Sequence, residues 1–176
     1  MGYHTNFDGE FEIEPPLTPE QADYLMRFNQ TLRMKRDAAK AEMIPDPERV
    51  AVGLPIGNDG EYFVEGTGDF GQDEDASVIE RNSPPGSQPG LWCQWVPSED
   101  GTTLAWDEGE KFYNYVKWLE YLIKHFLAPW GRKITGQVSW KGEEDSDMGI
   151  IYAKDNRVEA LAAEITYPDP SWVTEE

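Results

Sequence analysis

Hydrophobic and polar residues alternate cleanly near the start of the chain. In "EFEIE", residues 10–14, Phe11 and Ile13 point one way and Glu10, Glu12 and Glu14 the other. That period of two predicts a strand with one buried face, and Pro15 and Pro16 stop it. "LTPEQ" then opens a helix: Thr18 is the N-cap, Pro19 takes the first helical position and Gln21 completes a capping box. Leu25, Phe28 and Leu32 recur at helical spacing as its buried stripe. Arg33, Arg36 and Lys40 line another face, and the pattern ends before Pro45.

Residues 45–90 lose this regularity. They are rich in Gly, Pro, Asp and Glu, with eight acids between Asp59 and Glu80. "EYFVE" predicts a short strand at Tyr62 to Val64, and "NSPPGSQPG" closes the segment as a turn-rich loop. So long an irregular stretch is either a functional loop or folds over the sheet through its aromatics.

Regular patterning returns at "GLWCQWV" and "TTLAW", which flank "PSEDG" as a hairpin. In the first of these strands Leu91, Cys93 and Trp95 make the core face, and Trp92, Gln94 and Val96 the opposite one. Asp107 with Glu110 reads as a second capping box, opening a helix through "EGEKFYNYVKWLEYLIKHFL". Phe112, Val116, Leu119, Ile123 and Phe126 form its apolar face, and Pro129 ends it. "ITGQVSWKG" and "GIIYAKDNRVEAL" predict further strands with a turn at "KDNR".

The order strand, helix, loop, strand, strand, helix, strand, strand predicts an α+β fold: a ferredoxin-like (split β-α-β) antiparallel sheet with extra C-terminal strands. Both helices then cover one face, and the other is open or covered by the insertion. The expected organisation is one domain over 1–166, with 45–90 an irregular acidic insertion and 167–176 a loose tail.

Charge decides which partners are worth considering. Thirty-four acids against fifteen bases give a formal net charge of -19 in 176 residues. A field of that sign repels phosphate backbones and anionic lipid, and attracts basic proteins. Adaptation to salt, or solubility alone, is the other reading of the same number. The single Cys93 excludes an intrachain disulfide. The acidic N-terminus and the lack of a long apolar run lead us to expect a cytoplasmic protein. Asn6 departs from the myristoylation pattern that Gly2 would begin.

Motifs for chemistry are thin. "GTGDFG", residues 66–71, matches G-x-G-x-x-G, but Asp69 lies inside it and "QDED" follows, so a phosphate would meet carboxylates. Asp73, Asp75 and Ser77 alternate like cation ligands without the glycine that a calcium loop needs. His4, His125 and Cys93 stand in no ligand spacing, and His125 near a helix end reads as a dipole partner. No catalytic residue, metal site or cofactor is expected from these patterns.

What remains is the aromatic and acidic set. "MGYHTNFDGEFEI", "QPGLWCQWVPSEDGT", "EGEKFYNYVKWLEYLIKHFLAPWG" and "GQVSWKGEE" together resemble an uncharacterised family of small acidic proteins from tailed bacteriophages, prophages and bacteria. The resemblance implies a phage or mobile-element accessory protein, a class whose members often act on host or defence proteins, some by imitating the charge of DNA. The expectation is a non-enzymatic interaction protein that meets a basic partner through Glu10, Glu12, Glu14, Trp92 and Gln94, with Asp73, Glu74 and Asp75 steering. The partner would be a host or defence protein that itself binds nucleic acid, and a DNA-mimic or inhibitor role follows from that. An immunity protein for a basic toxin would share this chemistry. A different class stays open: a small-ligand protein or minor enzyme with a pocket between sheet and insertion, lined by Tyr62, Trp92, Gln94 and Trp106, with Arg33 or Arg36 binding an anion.

Overall fold

A computed structural model describes residues 2–66, 68 and 71–174. The chain is α+β. Its strands are β1 (Thr5–Glu14), β2 (Lys35–Arg36), β3 (Val78–Glu80), β4 (Trp95–Pro97), β5 (Thr103–Trp106), β6 (Lys133–Gly142), β7 (Met148–Lys154) and β8 (Arg157–Ala162). Its helices are α1 (Pro19–Asn29), α2 (Ala38–Glu42), α3 (Pro47–Ala51) and α4 (Tyr115–Leu122). Six strands form one sheet in the order β4-β5-β1-β6-β7-β8, and β2 with β3 forms a separate ribbon. Every pairing between strands is antiparallel.

The period of two in β1 places Phe11 and Ile13 in the core and leaves Glu10, Glu12 and Glu14 exposed. Opposite them, Ile134, Val138 and Trp140 of β6 and Ile151 and Ala153 of β7 face the same core. Gly136 lies across from Phe11 with φ +148; a Cβ there would stand 2.9 Å from the Glu10 carbonyl oxygen, so the strands meet this closely only at glycine. On the core side Trp95 packs against Phe7, Phe11 and Phe112 with ring centroids 5.3–5.7 Å apart. Such pairs add about 0.5–1.5 kcal/mol each beyond the area they bury. Phe28 of α1 meets Trp118 of α4 and Phe126, which closes the helical layer.

The capping box at α1 forms as expected: Thr18 Oγ1 accepts from the Gln21 N–H at 3.2 Å, and Gln21 Oε1 from the Thr18 N–H at 3.0 Å. The helix, however, ends at Asn29. Arg33 and Arg36 therefore do not form a solvated helical face; both are buried beyond the helix end. The second long helix is also shorter than its sequence pattern. It begins at Tyr115, because Glu108, Lys111 and Asn114 adopt positive φ and the 107–114 stretch is fastened elsewhere. Asp107 accepts from Asn29 Nδ2 at 2.8 Å and from the Gly109 N–H at 2.7 Å, and Trp106 Nε1 donates to the Gly109 carbonyl. Those bonds displace the local cap. After α4 the backbone widens into a π-helical turn, Ile123–Leu127.

The insertion packs on the helices, not over the open sheet face. Tyr24 donates to the Tyr62 carbonyl, Tyr62 lies against Phe126, and Phe63 and Val64 are buried. The stretch 62–64 forms no strand: Tyr62 lies in a turn, and the Phe63 N–H donates to the Gly60 carbonyl; the ribbon of β2 and β3 gives the insertion its ladder. Among the described residues, no helix is long and apolar enough to cross a membrane. Of the sequence motifs, Thr67, Asp69 and Phe70 of "GTGDFG" and the last two residues of the tail lie outside the described residues.

Candidate functional site

The helices leave one face of the sheet uncovered, and its central strand carries a column of acids. Asp8, Glu10, Glu12 and Glu14 of β1 alternate with the core residues and are all exposed. Carboxylates two residues apart on a strand sit about 6.8 Å from one another. Across β6 their register partners are Ser139, Gln137, Thr135 and Lys133. Three of those four are neutral, so only the end of the column faces a cation. Among the described residues none of the four acids lies within ion-pair distance of a Lys, Arg or His.

The face is not acidic throughout. By register, β7 and β8 bring Tyr152, Lys154, Arg157 and Glu159 onto it, and β6 adds Lys133 and Lys141. The charge is thus sorted into an acidic column on β1 and a basic flank. Where the column ends, Glu12, Glu14, Pro15, Lys133, Thr135 and Asp155 line an open depression of about 480 Å³. Three carboxylates against one lysine make it a socket for a guanidinium or ammonium group.

The other residues expected at this surface lie elsewhere. The strand with the tryptophans begins only at Trp95, so residues 91–94 do not alternate as a strand would. Gln94 is buried: its Nε2 donates to the Glu110 carbonyl at 2.8 Å, and its Oε1 accepts from Trp106 Nε1 at 3.2 Å. Trp92 is half-buried and shares a cleft of about 390 Å³ with Leu91, Lys111, Tyr113 and Asn114. That cleft lies against the lead-in to α4 and not beside the glutamates. Asp75 is tied to buried Arg36 at 2.8 Å and to Ser77, and Glu74 lies 3.9 Å from Arg81. Asp73 is exposed in the same insertion.

The six residues expected to line one ligand pocket also divide. Trp92, Gln94 and Trp106 gather at the lead-in to α4, whereas Arg33 and Arg36 are interior clamps of the insertion. Arg33 donates to the carbonyls of Glu61 and Phe63, and its guanidinium lies 4.2 Å over the Phe28 ring. Arg36 lies 4.1 Å over Phe63. Tyr62 joins a different group. Its hydroxyl is 2.6 Å from His125 Nδ1, and His125 stacks on Tyr121 at 4.1 Å. The Tyr121 hydroxyl donates to Glu61 Oε1 at 2.9 Å, as does Ser87 Oγ at 2.8 Å.

This polar group around Glu61 was not legible from sequence, because the bonds that assemble it join residues 26 to 63 positions apart. The one local signal is geometric: His125 sits in the π-helical turn, a feature that often accompanies function. Burial lowers the His125 pKa from its ordinary 6.5, opposed by Glu61 and aided by Lys124. Burial likewise pushes the Cys93 thiol up to about 12, which makes it inert as a nucleophile. Compared with family models, with curated proteins and with solved structures, the chain matches none of them.

Proposed function

We propose that this protein is a non-enzymatic interaction module that docks the uncovered face of its sheet on a basic partner protein. The observation that carries this reading is the column of four exposed, unpaired carboxylates on the central strand. The strand already fixes the backbone that spaces these carboxylates, so only side-chain entropy is lost when a cationic surface meets them. The depression at Glu12, Glu14 and Asp155 gives the contact a place for an inserted Arg or Lys.

Charge density separates two forms of this idea. Duplex DNA carries one charge per about 1.7 Å of axis, whereas the β1 column carries one per about 6.8 Å. The column alone therefore favours recognition of a basic protein patch over close imitation of a duplex. The resemblance to phage and prophage proteins makes a host or defence protein that binds nucleic acid the leading candidate, and an immunity role against a basic toxin uses the same surface. Direct binding to nucleic acid or anionic lipid is disfavoured by the net charge of -19. For the fold we infer the split β-α-β arrangement: β1, α1, β4, β5, α4 and β6 follow its order, and β7 and β8 extend its sheet.

The test is affinity capture from host lysate with the wild-type chain and a Glu10→Lys/Glu12→Lys/Glu14→Lys variant, at low and physiological salt. A basic protein retained by the wild type, released by salt and lost on charge reversal is the expected result. A partner that the triple variant retains equally would sink the reading.

A second reading has its own observation. Trp118 Nε1 is buried without a hydrogen-bond partner, and a Cβ on Gly90 would stand 3.5 Å from it. Gly90 lines the Trp92 cleft. A small aromatic ligand with an acceptor group would stack on Trp92 and, by displacing Gly90, reach that N–H. Ligand-observed NMR with a fragment set tests it: hits that vanish in Gly90→Ala support the cleft, and hits that survive count against it.

A further inference from the structure

Three carboxylates converge where the insertion meets the end of α1, away from the open face. Asp46, Glu48 and Glu65 each present an oxygen, and these oxygens lie within 4.8 Å of one another. Their positions follow from local structure. Asp46 precedes α3, Pro47 starts it and Glu48 is in its first turn. Asp46 Oδ2 accepts from the Val64 N–H at 3.3 Å, which draws the chain next to Glu65 against it.

The cluster by itself would mean little in so acidic a chain. A separate observation gives it content. The Asp46 side chain is wholly buried, and Oδ2 takes Arg49 Nε at 2.9 Å as well as Val64, but Oδ1 is closed from solvent and meets no donor. Glu48 Oε2 is in the same condition. A buried carboxylate oxygen without a donor costs roughly 1–3 kcal/mol or more, so two in one cluster call for an occupant that the side chains do not supply. The cations nearby do not supply it: Arg49 is spent on Oδ2, and Arg27 pairs with Glu65 Oε2 at 3.3 Å. Three acids against two arginines leave one net negative charge in the group.

We propose that Asp46, Glu48 and Glu65 hold a calcium ion. The donors are all oxygen, which selects a hard cation over zinc or copper. Magnesium dehydrates reluctantly and is usually held by one or two carboxylates, whereas calcium accepts a flexible shell of oxygen ligands at about 2.3–2.6 Å, so three protein carboxylates suit calcium better. The three oxygens, all within 4.8 Å of one another, stand close enough to share one such ion. Glu65 is about one-third exposed and provides the route from solvent. With three protein carboxylates and water completing the shell, the affinity belongs in the range of about 10⁻⁴ to 10⁻³ M. The ion would tie α3 to the 61–66 stretch and to α1 through Arg27, and so rigidify the insertion from within.

The test is calorimetric titration of the full chain with calcium chloride in about 0.3 M potassium chloride, which screens diffuse attraction to the acidic surface. One ion per chain is expected, with a rise in Tm on addition. Glu48→Gln and Glu65→Gln should each weaken binding at least tenfold, while Glu42→Gln, exposed on α2, should not. Asp46→Asn also strips Arg49 of its partner, so the two glutamine variants carry the result. A failure to saturate in salt, or binding that both variants retain, overturns the proposal. A proton on Asp46, whose carboxyl burial pushes above its ordinary range, is the competing account; it would give a stability gain on acidification with no calcium response, and would also overturn it.

Discussion

Arg36 enters the interior with its charge and makes the insertion cohere around it. Its guanidinium lies over Phe63, and Nη1 donates to Asp75 Oδ2 and to Ser77 Oγ, both at 2.8 Å. Truncation would leave Asp75 and Ser77 without their donor. Breaking a buried pair costs about 3–5 kcal/mol, and the partial exposure of Asp75 brings the expected cost of Arg36→Ala to about 2 kcal/mol. Arg36→Met, which keeps the packing on Phe63, should cost less, and urea denaturation of both variants checks the order. Burial opposes ionisation of Asp75, but bonds from Ser77 and Arg36 outweigh it and hold its carboxyl below the ordinary 3.8. A depressed carboxylate stabilises the fold above its unfolded value and loses that contribution as pH falls through the folded one. Asp75→Asn should therefore flatten the acid limb of the stability curve below about pH 4, and an unchanged limb would refute the pair's role.

At the level of elements, the lead-in to α4 and the π-helical turn after it depart most from the sequence pattern. The turn aims His125 at Tyr62 and Glu61, where burial lowers its pKa. A histidine depressed in the folded state takes up its proton more readily when unfolded. Stability should fall as pH drops through 6.5 towards the lower folded value, and then level off. His125→Gln should remove that slope in a series of denaturation curves; a slope that persists places the titration elsewhere. What the sequence made legible was local: the alternation at Phe11 and Ile13, the box at Thr18 and Gln21, and the turn at Asp155 and Asn156. What it hid was tertiary. Asp107 and Glu110 have the spacing of a cap, yet Asn29 and Gln94 take the polar groups of that stretch for long-range bonds, and Trp106 binds the Gly109 carbonyl. Trp92 and Gln94 would share a face with the glutamates only in a strand that reached them, and that strand begins at Trp95. Glu10, Glu12 and Glu14 were legible as a surface because their own strand decides it.

For the molecule as a whole, the -19 charge is a long-range field and the β1 column is where a rigid element concentrates it. The field speeds encounter with any basic protein and is screened beyond about 8 Å at physiological salt. Specific docking requires the column, which is why its loss and the loss of net charge can be told apart. Replacing three exposed acids of the helical side by lysine changes the net charge as much as the triple variant of β1 does, and should slow binding without abolishing it. The most direct test is a ¹H–¹⁵N titration of the full chain with a lysine- and arginine-rich peptide at about 50 mM and about 300 mM salt. The account predicts shifts concentrated at residues 6–14 and their neighbours at 133–139, much reduced at the higher salt and absent in the triple variant. Shifts centred on 73–75 or on the lead-in to α4, or spread evenly over the acidic surface, would contradict it.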